Sequence, residues 1–175
     1  MKSLLLAFLC CWVLLMGCAR GQSPNGPSQG VPGGTSSKSN TEPPPPFDPT
    51  RDPKRDLNDA IATAGRSGKR ILIDVGGEWC IWCHRLDAFF ISHDDLMELR
   101  NKNFVVFKVN VSPENKNESF LSSYPKIPGY PHIFILAPDG KLLYSEDTSK
   151  LESGDSYSHE RVKDFLKKWA PMSGN

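Results

Sequence analysis

The chain has 175 residues, with 21 Lys or Arg against 20 Asp or Glu and a formal net charge of +1. Such a balance gives no long-range field for steering nucleic acid or anionic lipid, which excludes functions built on a strongly basic face. The chain holds five cysteines, and their placement along it decides what they can do.

At the amino terminus Lys2 precedes an unbroken apolar run from Leu4 to Met16 that ends at Gly17. The run is short of the roughly 20 residues that cross a hydrocarbon core of about 30 Å. One basic residue, a short apolar segment and a small-residue exit predict a secretory signal peptide over residues 1–17. No later segment is apolar enough to span a membrane, so the sequence predicts export. Leu15-Met16-Gly17-Cys18 resembles the lipobox of bacterial lipoproteins, with Met16 standing where a small residue is commoner. The resemblance implies that Cys18 is acylated and becomes the first mature residue. The acyl chains would anchor the protein, each buried CH₂ contributing about 0.8 kcal/mol. In a Gram-negative source Ala19, rather than Asp, after the cysteine implies sorting to the periplasm-facing outer membrane.

Cys10 and Cys11 leave with the signal and Cys18 carries lipid, so Cys80 and Cys83 alone remain free. Bridging residues this close closes almost no loop, so the pair is chemistry rather than a staple. From Arg20 to Thr50 the chain is mostly Gly, Ser, Pro, Asn and Gln, and it includes Pro43-Pro44-Pro45-Pro46. Such a composition cannot bury enough surface to offset ordering entropy. Residues 18–50 are therefore read as a lipidated start and a disordered, flexible tether, stiffened at the proline run into polyproline II. Residues 51–171 form one domain, residues 172–175 a short tail, and no internal repeat appears.

Within the domain, Leu57, Ile61 and Ala64 share one helical face, closed by Gly65 and Gly68. Ile71 to Val75 is a short β-branched run, read as a buried strand ending at Gly76-Gly77. A helix begins at the first cysteine of the pair and carries Leu86, Phe89 and Phe90. Ser92 is expected to cap a further helical piece through Leu96 and Leu99. Phe104 to Val109 reads as a second buried strand, and Pro113 suits the first turn of a short helix ending near Tyr124. His132 to Leu136, Asp139-Gly140 and Lys141 to Tyr144 give a hairpin signal. Val162, Phe165, Leu166 and Trp169 are the stripe of a closing helix.

The stretch Cys80-Ile81-Trp82-Cys83-His84 satisfies two patterns at once. C-x-x-C beside strand and helix signals suggests a thiol–disulfide redox site. C-x-x-C-H is also a c-type haem attachment, with His84 as proximal ligand. Against haem, Met97 and Met172 are the only mature methionines and neither lies in an evident haem loop. A third reading is a copper or metallochaperone site using the two thiolates, although two sulfurs alone make an incomplete tetrahedral zinc site. His93, His132 and His159 show no metal-ligand spacing and read as structural or surface residues. Asn110-Val111-Ser112 and Asn117-Glu118-Ser119 fit the glycosylation sequon, which a bacterial lipoprotein would not normally use.

Strand, Trp79-Cys80-x-x-Cys83 opening a helix, strand, helix, then Gly129-x-Pro131 before a hairpin and a last helix resembles thioredoxin-like proteins over about residues 55–170. It is most similar to the thioredoxin-like domains of bacterial periplasmic thiol–disulfide interchange proteins. The resemblance implies an α/β thioredoxin-like fold, a central mixed β-sheet flanked by helices. It implies Cys80 as attacking cysteine, Cys83 as resolving cysteine and Trp79 as the tryptophan before them. Asp74, six residues before Cys80, matches the family's buried acid, and Lys108 the lysine near that acid. Pro131 falls at the cis-proline facing the thiols. Ile81-Trp82 replaces the Gly-Pro of ordinary thioredoxins and His84 the usual lysine, so the direction of redox action does not carry over.

Residue chemistry stands beside the resemblance. A thiol near pKa 8.5 is a weak nucleophile at neutral pH, but a helix N-terminus stabilises its thiolate. Cys80 would hold that position, and Cys83, one turn later, would be more buried. A buried Asp74 would exchange the proton that Cys83 loses; the alternative is a strand-end acid facing water. Pro131 lacks an N–H, leaving neighbouring backbone free to pair with an extended substrate. Trp82 and Tyr130 would form an apolar rim for a protein substrate, or serve only packing. His84 would stabilise the thiolate when protonated, or simply be solvated. The expectation is a membrane-tethered extracytoplasmic oxidoreductase with no cofactor beyond the redox-active disulfide Cys80–Cys83 and no metal. Its expected partners are exported proteins with cysteine pairs and a membrane thiol–disulfide electron donor.

Overall fold

Asp52 starts the first helix by accepting from the backbone N–H of Lys54, with Pro53 at the first helical position, where its missing N–H costs nothing. This helix, α1 (Pro53–Ser67), ends at Gly68, whose left-handed φ of 69° lets its N–H close on the Ala64 carbonyl. Gly65, expected to help close it, lies inside the helix on its exposed side. The computed structural model describes residues 47–172. The segments read from sequence as signal peptide and tether up to residue 46, with Cys18, and residues 173–175 of the tail lie outside the described residues.

β1 (Arg70–Gly76), α2 (Ile81–Ile91), α3 (Asp94–Asn103) and β2 (Phe104–Asn110) follow. Ser92 closes α2 rather than capping α3: its hydroxyl donates to the Phe89 carbonyl and its N–H to the Ala88 carbonyl. His93 then stands at the start of α3 without a side-chain cap, and Asp94 and Asp95 supply the favourable first-turn charge instead. Pro113 is not helical. Ser112 and Asn115 exchange backbone hydrogen bonds of 3.0 and 3.2 Å around it, and the Asn110 amide ties both down. The short helix α4 therefore begins only at Glu118 and runs to Leu121, after Asn117 in a left-handed conformation. β3 (His132–Leu136) and β4 (Leu142–Asp147) form the expected hairpin. A 3-10 turn (Thr148–Leu151) and the two-residue strands β5 (Glu152–Ser153) and β6 (Ser156–Tyr157), which were not anticipated, lead into α5 (His159–Lys168). Trp169 stands just beyond α5 and stacks on Tyr144 with ring centroids 4.5 Å apart.

The main sheet has the order β2-β1-β3-β4, with β1 and β2 parallel and the other pairs antiparallel. Alternation along β1 sends Ile71, Ile73 and Val75 to one face and Leu72, Asp74 and Gly76 to the other. On the first face, Phe107, Val109, Phe134 and Leu136 join them beneath α1 and α4, through Ala60, Ala64 and Phe120. On the second, Leu72, Ile133 and Ile135 pack under Leu86, Phe89 and Phe90 of α2, Leu96 and Met97 of α3, and Val162, Phe165 and Leu166 of α5. The result is a mixed central sheet flanked by helices, as the resemblance implied. Along β1 the second face changes from apolar to ionisable to bare backbone, and that gradient places the site.

Candidate active site

At the carboxyl end of β1 the chain turns through Gly77, Glu78 and Trp79 and enters α2 at Cys80. Cys80 is extended, with φ −90° and ψ 103°, and occupies the N-cap of α2. Its Sγ accepts from the Cys83 backbone N–H at 3.1 Å, the role a Ser or Asp oxygen plays at an ordinary helix start. Cys80 and Cys83 are joined in a disulfide, with Cα atoms 5.2 Å apart. Both are buried, Cys83 completely and Cys80 to 4% exposure. A Cβ on Gly76 would collide with Cys83 Sγ and stand 2.9 Å from the Phe47 ring. A glycine here is a requirement of close approach.

The same face of β1 carries Asp74, two residues before Gly76, so its carboxyl group points to the side on which Cys83 is packed. Lys108 is its register partner on β2. Lys108 Nζ lies 3.7 Å from Asp74 Oδ2 and hydrogen-bonds to Asp87 of α2. It also sits 4.1 Å over the Phe47 ring. Burial pushes the Asp74 carboxyl up to about 6, with Lys108 pulling it down and Asp87 adding to the rise. Asp74 Oδ1 has no hydrogen-bond partner among the described residues. This is a buried acid able to take and return a proton near neutral pH.

Tyr130-Pro131 is a cis peptide, and Pro131 is buried with its carbonyl accepting from the Thr148 hydroxyl at 2.6 Å. Tyr130 and Trp82 pack against the cluster of Phe47, Cys80 and Cys83. Trp79 is 58% exposed; its indole N–H donates to the Val111 carbonyl at 2.6 Å and its ring meets Tyr130 edge-on. Ile81 is similarly exposed, so an apolar rim surrounds the disulfide. Asp74, Trp79, Cys80, Trp82, Cys83, Lys108, Tyr130 and Pro131 thus come together in one region, while Cys18 lies outside the described residues.

The other candidates serve their own neighbourhoods. His84 turns back to the Glu78 carbonyl at 2.7 Å. His132 is buried against Ser145, and His159 pairs with Asp95 at 3.0 Å. Met97 is buried and accepts from Arg100. Among the described residues no group of three or more His, Cys, Asp or Glu side chains is placed to hold a metal ion. Sequence reading missed Phe47, Asp87 and Tyr157. Phe47, whose N–H donates to Glu78 Oε1 at 2.8 Å, stands in the segment read as tether, where it is the one aromatic residue. Asp87 lies four residues after Cys83, one helical turn along the same face, a spacing that could have exposed it.

Residues 52–138 match the family model described as thioredoxin-like. The chain belongs to the thioredoxin-like family. Among thioredoxin-like relatives, it is 25% identical over 114 residues to the thiol:disulfide interchange protein DsbD of Pseudomonas fluorescens, a match covering 65% of this chain and 18% of that protein. The chain thus spans less than a fifth of that relative's length. It is 26% identical to the solved structure of a disulphide isomerase from Xylella fastidiosa Temecula1, which covers 70% of this chain and 95% of that one with a TM-score of 0.62.

The raised Asp74 carboxyl makes a stability prediction. The native state binds this proton more tightly than the unfolded chain, whose carboxyl titrates near 3.8. The contribution is fully present below that value and is lost as pH rises through about 6. Asp74→Asn removes the titration, so its stability relative to the parent should improve between pH 4 and pH 7.5 by on the order of 2–3 kcal/mol. Urea unfolding at both pH values measures this. A difference that stays constant with pH contradicts the buried acid.

Proposed function

We propose that this chain is a membrane-tethered, extracytoplasmic thiol–disulfide oxidoreductase that exchanges with cysteine pairs of exported proteins. The observation that carries the reading is the Cys80–Cys83 disulfide, with one sulfur capping α2 and the other sealed beneath it against Gly76. The names of the relatives, one for thiol–disulfide interchange and one for disulphide isomerisation, support it.

In the reduced form, the helix N-terminus and the Cys83 N–H favour a thiolate at Cys80. That thiolate attacks one sulfur of a substrate disulfide; the substrate S–S bond breaks, and its leaving sulfur takes a proton. Cys83 then loses its proton to the Asp74 carboxylate and attacks Cys80 Sγ. The mixed disulfide breaks, the second substrate sulfur leaves as a thiolate and takes up the proton held by Asp74, and Cys80–Cys83 closes. Two electrons have moved from this dithiol to the substrate disulfide, and the same steps reversed oxidise a substrate dithiol. Pro131 offers no N–H, leaving the backbone beside it to pair with an extended substrate segment. Trp79, Ile81, Trp82 and Tyr130 give that segment apolar contact. The signal-like residues 1–17 and the lipobox ending at Cys18 support export and anchoring. A membrane thiol–disulfide electron donor would return the pair to its reduced form.

Cys83→Ala should trap covalent complexes with exported proteins, visible as high-mass bands that vanish on reduction. Cys80→Ala should trap far fewer. Equal trapping by the two variants rejects the assigned order, and trapping by neither rejects the exchange reaction in favour of metal binding or a non-catalytic role. Anchoring is tested separately: Cys18→Ser should move the protein from the membrane fraction to the soluble one. Unchanged fractionation would remove the lipid anchor from this reading.

A further inference from the structure

The segment from Phe47 to Asp52 forms neither strand nor helix, and no exchange step uses it, yet it is fastened at three places. The Phe47 N–H donates to Glu78 Oε1 at 2.8 Å, in the turn before α2. The Pro49 carbonyl accepts from the Asn115 amide at 2.8 Å, in the loop before α4. Arg51 donates to both carboxylate oxygens of Asp56 on α1, at 2.8 and 2.6 Å. Of residues 47–52, Phe47 alone is buried, at 2% exposure. Three anchors seat one ring.

That ring is the common neighbour of the resolving sulfur and of the charges beneath it. It packs against Cys80 and Cys83, and its edge fills the space that a side chain on Gly76 would take beside Cys83 Sγ. Its face lies 4.1 Å from the Lys108 ammonium, which stands 3.7 Å from Asp74 Oδ2. An aromatic face attracts a cation without supplying water to it. Around Asp74 the ionisable groups, besides Cys83, are Lys108 of β2, Asp87 of α2, Arg100 of α3 and the Tyr157 phenol of β6. Tyr157 donates to the Trp82 carbonyl at 3.2 Å, and burial pushes its phenol up, so it keeps its proton. Burial is also the main cause that lifts the Asp74 carboxyl to about 6.

We propose that Phe47 is a positioning residue for the resolving step: its ring bars water from the compartment of Cys83, Lys108 and Asp74, and so keeps the Cys83 proton for Asp74. This role rests on the exchange reaction proposed above. Attack by Cys80 moves no proton through that compartment. Closure does, because Cys83 must pass its proton to the Asp74 carboxylate before its sulfur attacks Cys80 Sγ and displaces the substrate sulfur. A base titrating near the working pH serves that transfer best, and hydration would make it a weaker base.

The test uses the reduced full chain and a chromogenic aromatic disulfide in stopped flow. The first coloured thiolate reports attack by Cys80, and the second reports closure of Cys80–Cys83. In the parent, the closure rate should rise with pH through an inflection near 6, and Asp74→Asn should abolish that inflection. Phe47→Ala admits water, which stabilises the carboxylate and returns its titration toward 3.8. The inflection should therefore fall by about one to two pH units, and closure at neutral pH should slow about threefold to tenfold, as for a base weakened by that much. Attack should keep the parent rate. Phe47→Leu, which keeps an apolar plug, should retain both rates. Phe47→Val should fall between, so the series is readable even where the alanine variant does not fold. In the Asp74→Asn background the Phe47 change should cost closure nothing further. Slower closure with an unmoved inflection, or equal slowing of attack and closure, would mark Phe47 as a structural residue and overturn the proposal. So would unchanged closure, or a parent without the inflection. A parent that releases neither thiolate would remove the exchange reaction itself, and this inference with it.

Discussion

A sulfur serving as a helix cap is the constraint on which the rest of this structure depends. Because Cys80 Sγ takes the Cys83 N–H, helix α2 can begin only at the reactive residue, and Cys83 is carried into the interior one turn later. The interior must then leave room for a sulfur. Gly76 does so by having no side chain, and Phe47 closes the space from the other side. The segment before α1 is thereby fastened to the site it precedes, through the ring of Phe47 and its N–H on Glu78. Helix start, strand end and the close of the amino-terminal segment converge on one disulfide.

Beneath that apolar seal lies a group of charges that would be costly if any stood alone. Lys108 is buried, and it is held between Asp74 and Asp87 rather than given to either. Burial raises the Asp74 carboxyl toward neutrality, and a lysine shared with Asp87 offsets that rise only in part, leaving one carboxylate oxygen without a hydrogen bond. A fully paired carboxylate would be fixed in its charged form and useless as a proton acceptor and donor. The imbalance costs stability at neutral pH and gives the site a titratable acid on the face where Cys83 is packed. This is the kind of local conflict that folded proteins keep where chemistry happens.

Much of the architecture was legible because burial and period agree. Ile71 to Val75 and Phe104 to Val109 are too apolar for loops and too short for helices. Val162, Phe165 and Leu166 share the one face that α5 buries. The differences have local causes. Proline suits a helix's first turn and a tight turn equally, and at Pro113 the Asn110 side chain decided for the turn. Ser92 can serve the end of one helix or the start of the next, and here its hydroxyl is bonded to the Phe89 carbonyl. The strands β5 and β6 have two residues each, too few to show alternation, so Tyr157 was invisible as a site neighbour. Cys80 and Cys83 announced themselves by spacing. Asp74, Lys108 and Pro131 became candidates only through resemblance, because a single acid, lysine or proline has no period of its own. Phe47 was hidden by the composition around it, since one aromatic residue does not change the average of a polar segment.

The central claim is that the Cys80–Cys83 bond is a reversible two-electron couple and not a structural link. The direct measurement is a redox titration of the folded protein in buffers from glutathione to dithiothreitol, quenched with an alkylating reagent and read by intact mass. The account predicts a single transition between unmodified and doubly alkylated protein, reversible on returning to oxidising buffer, with the far-ultraviolet dichroism unchanged across it. A disulfide that opens only when the fold is lost, or a pair that never closes in oxidising buffer, would contradict it.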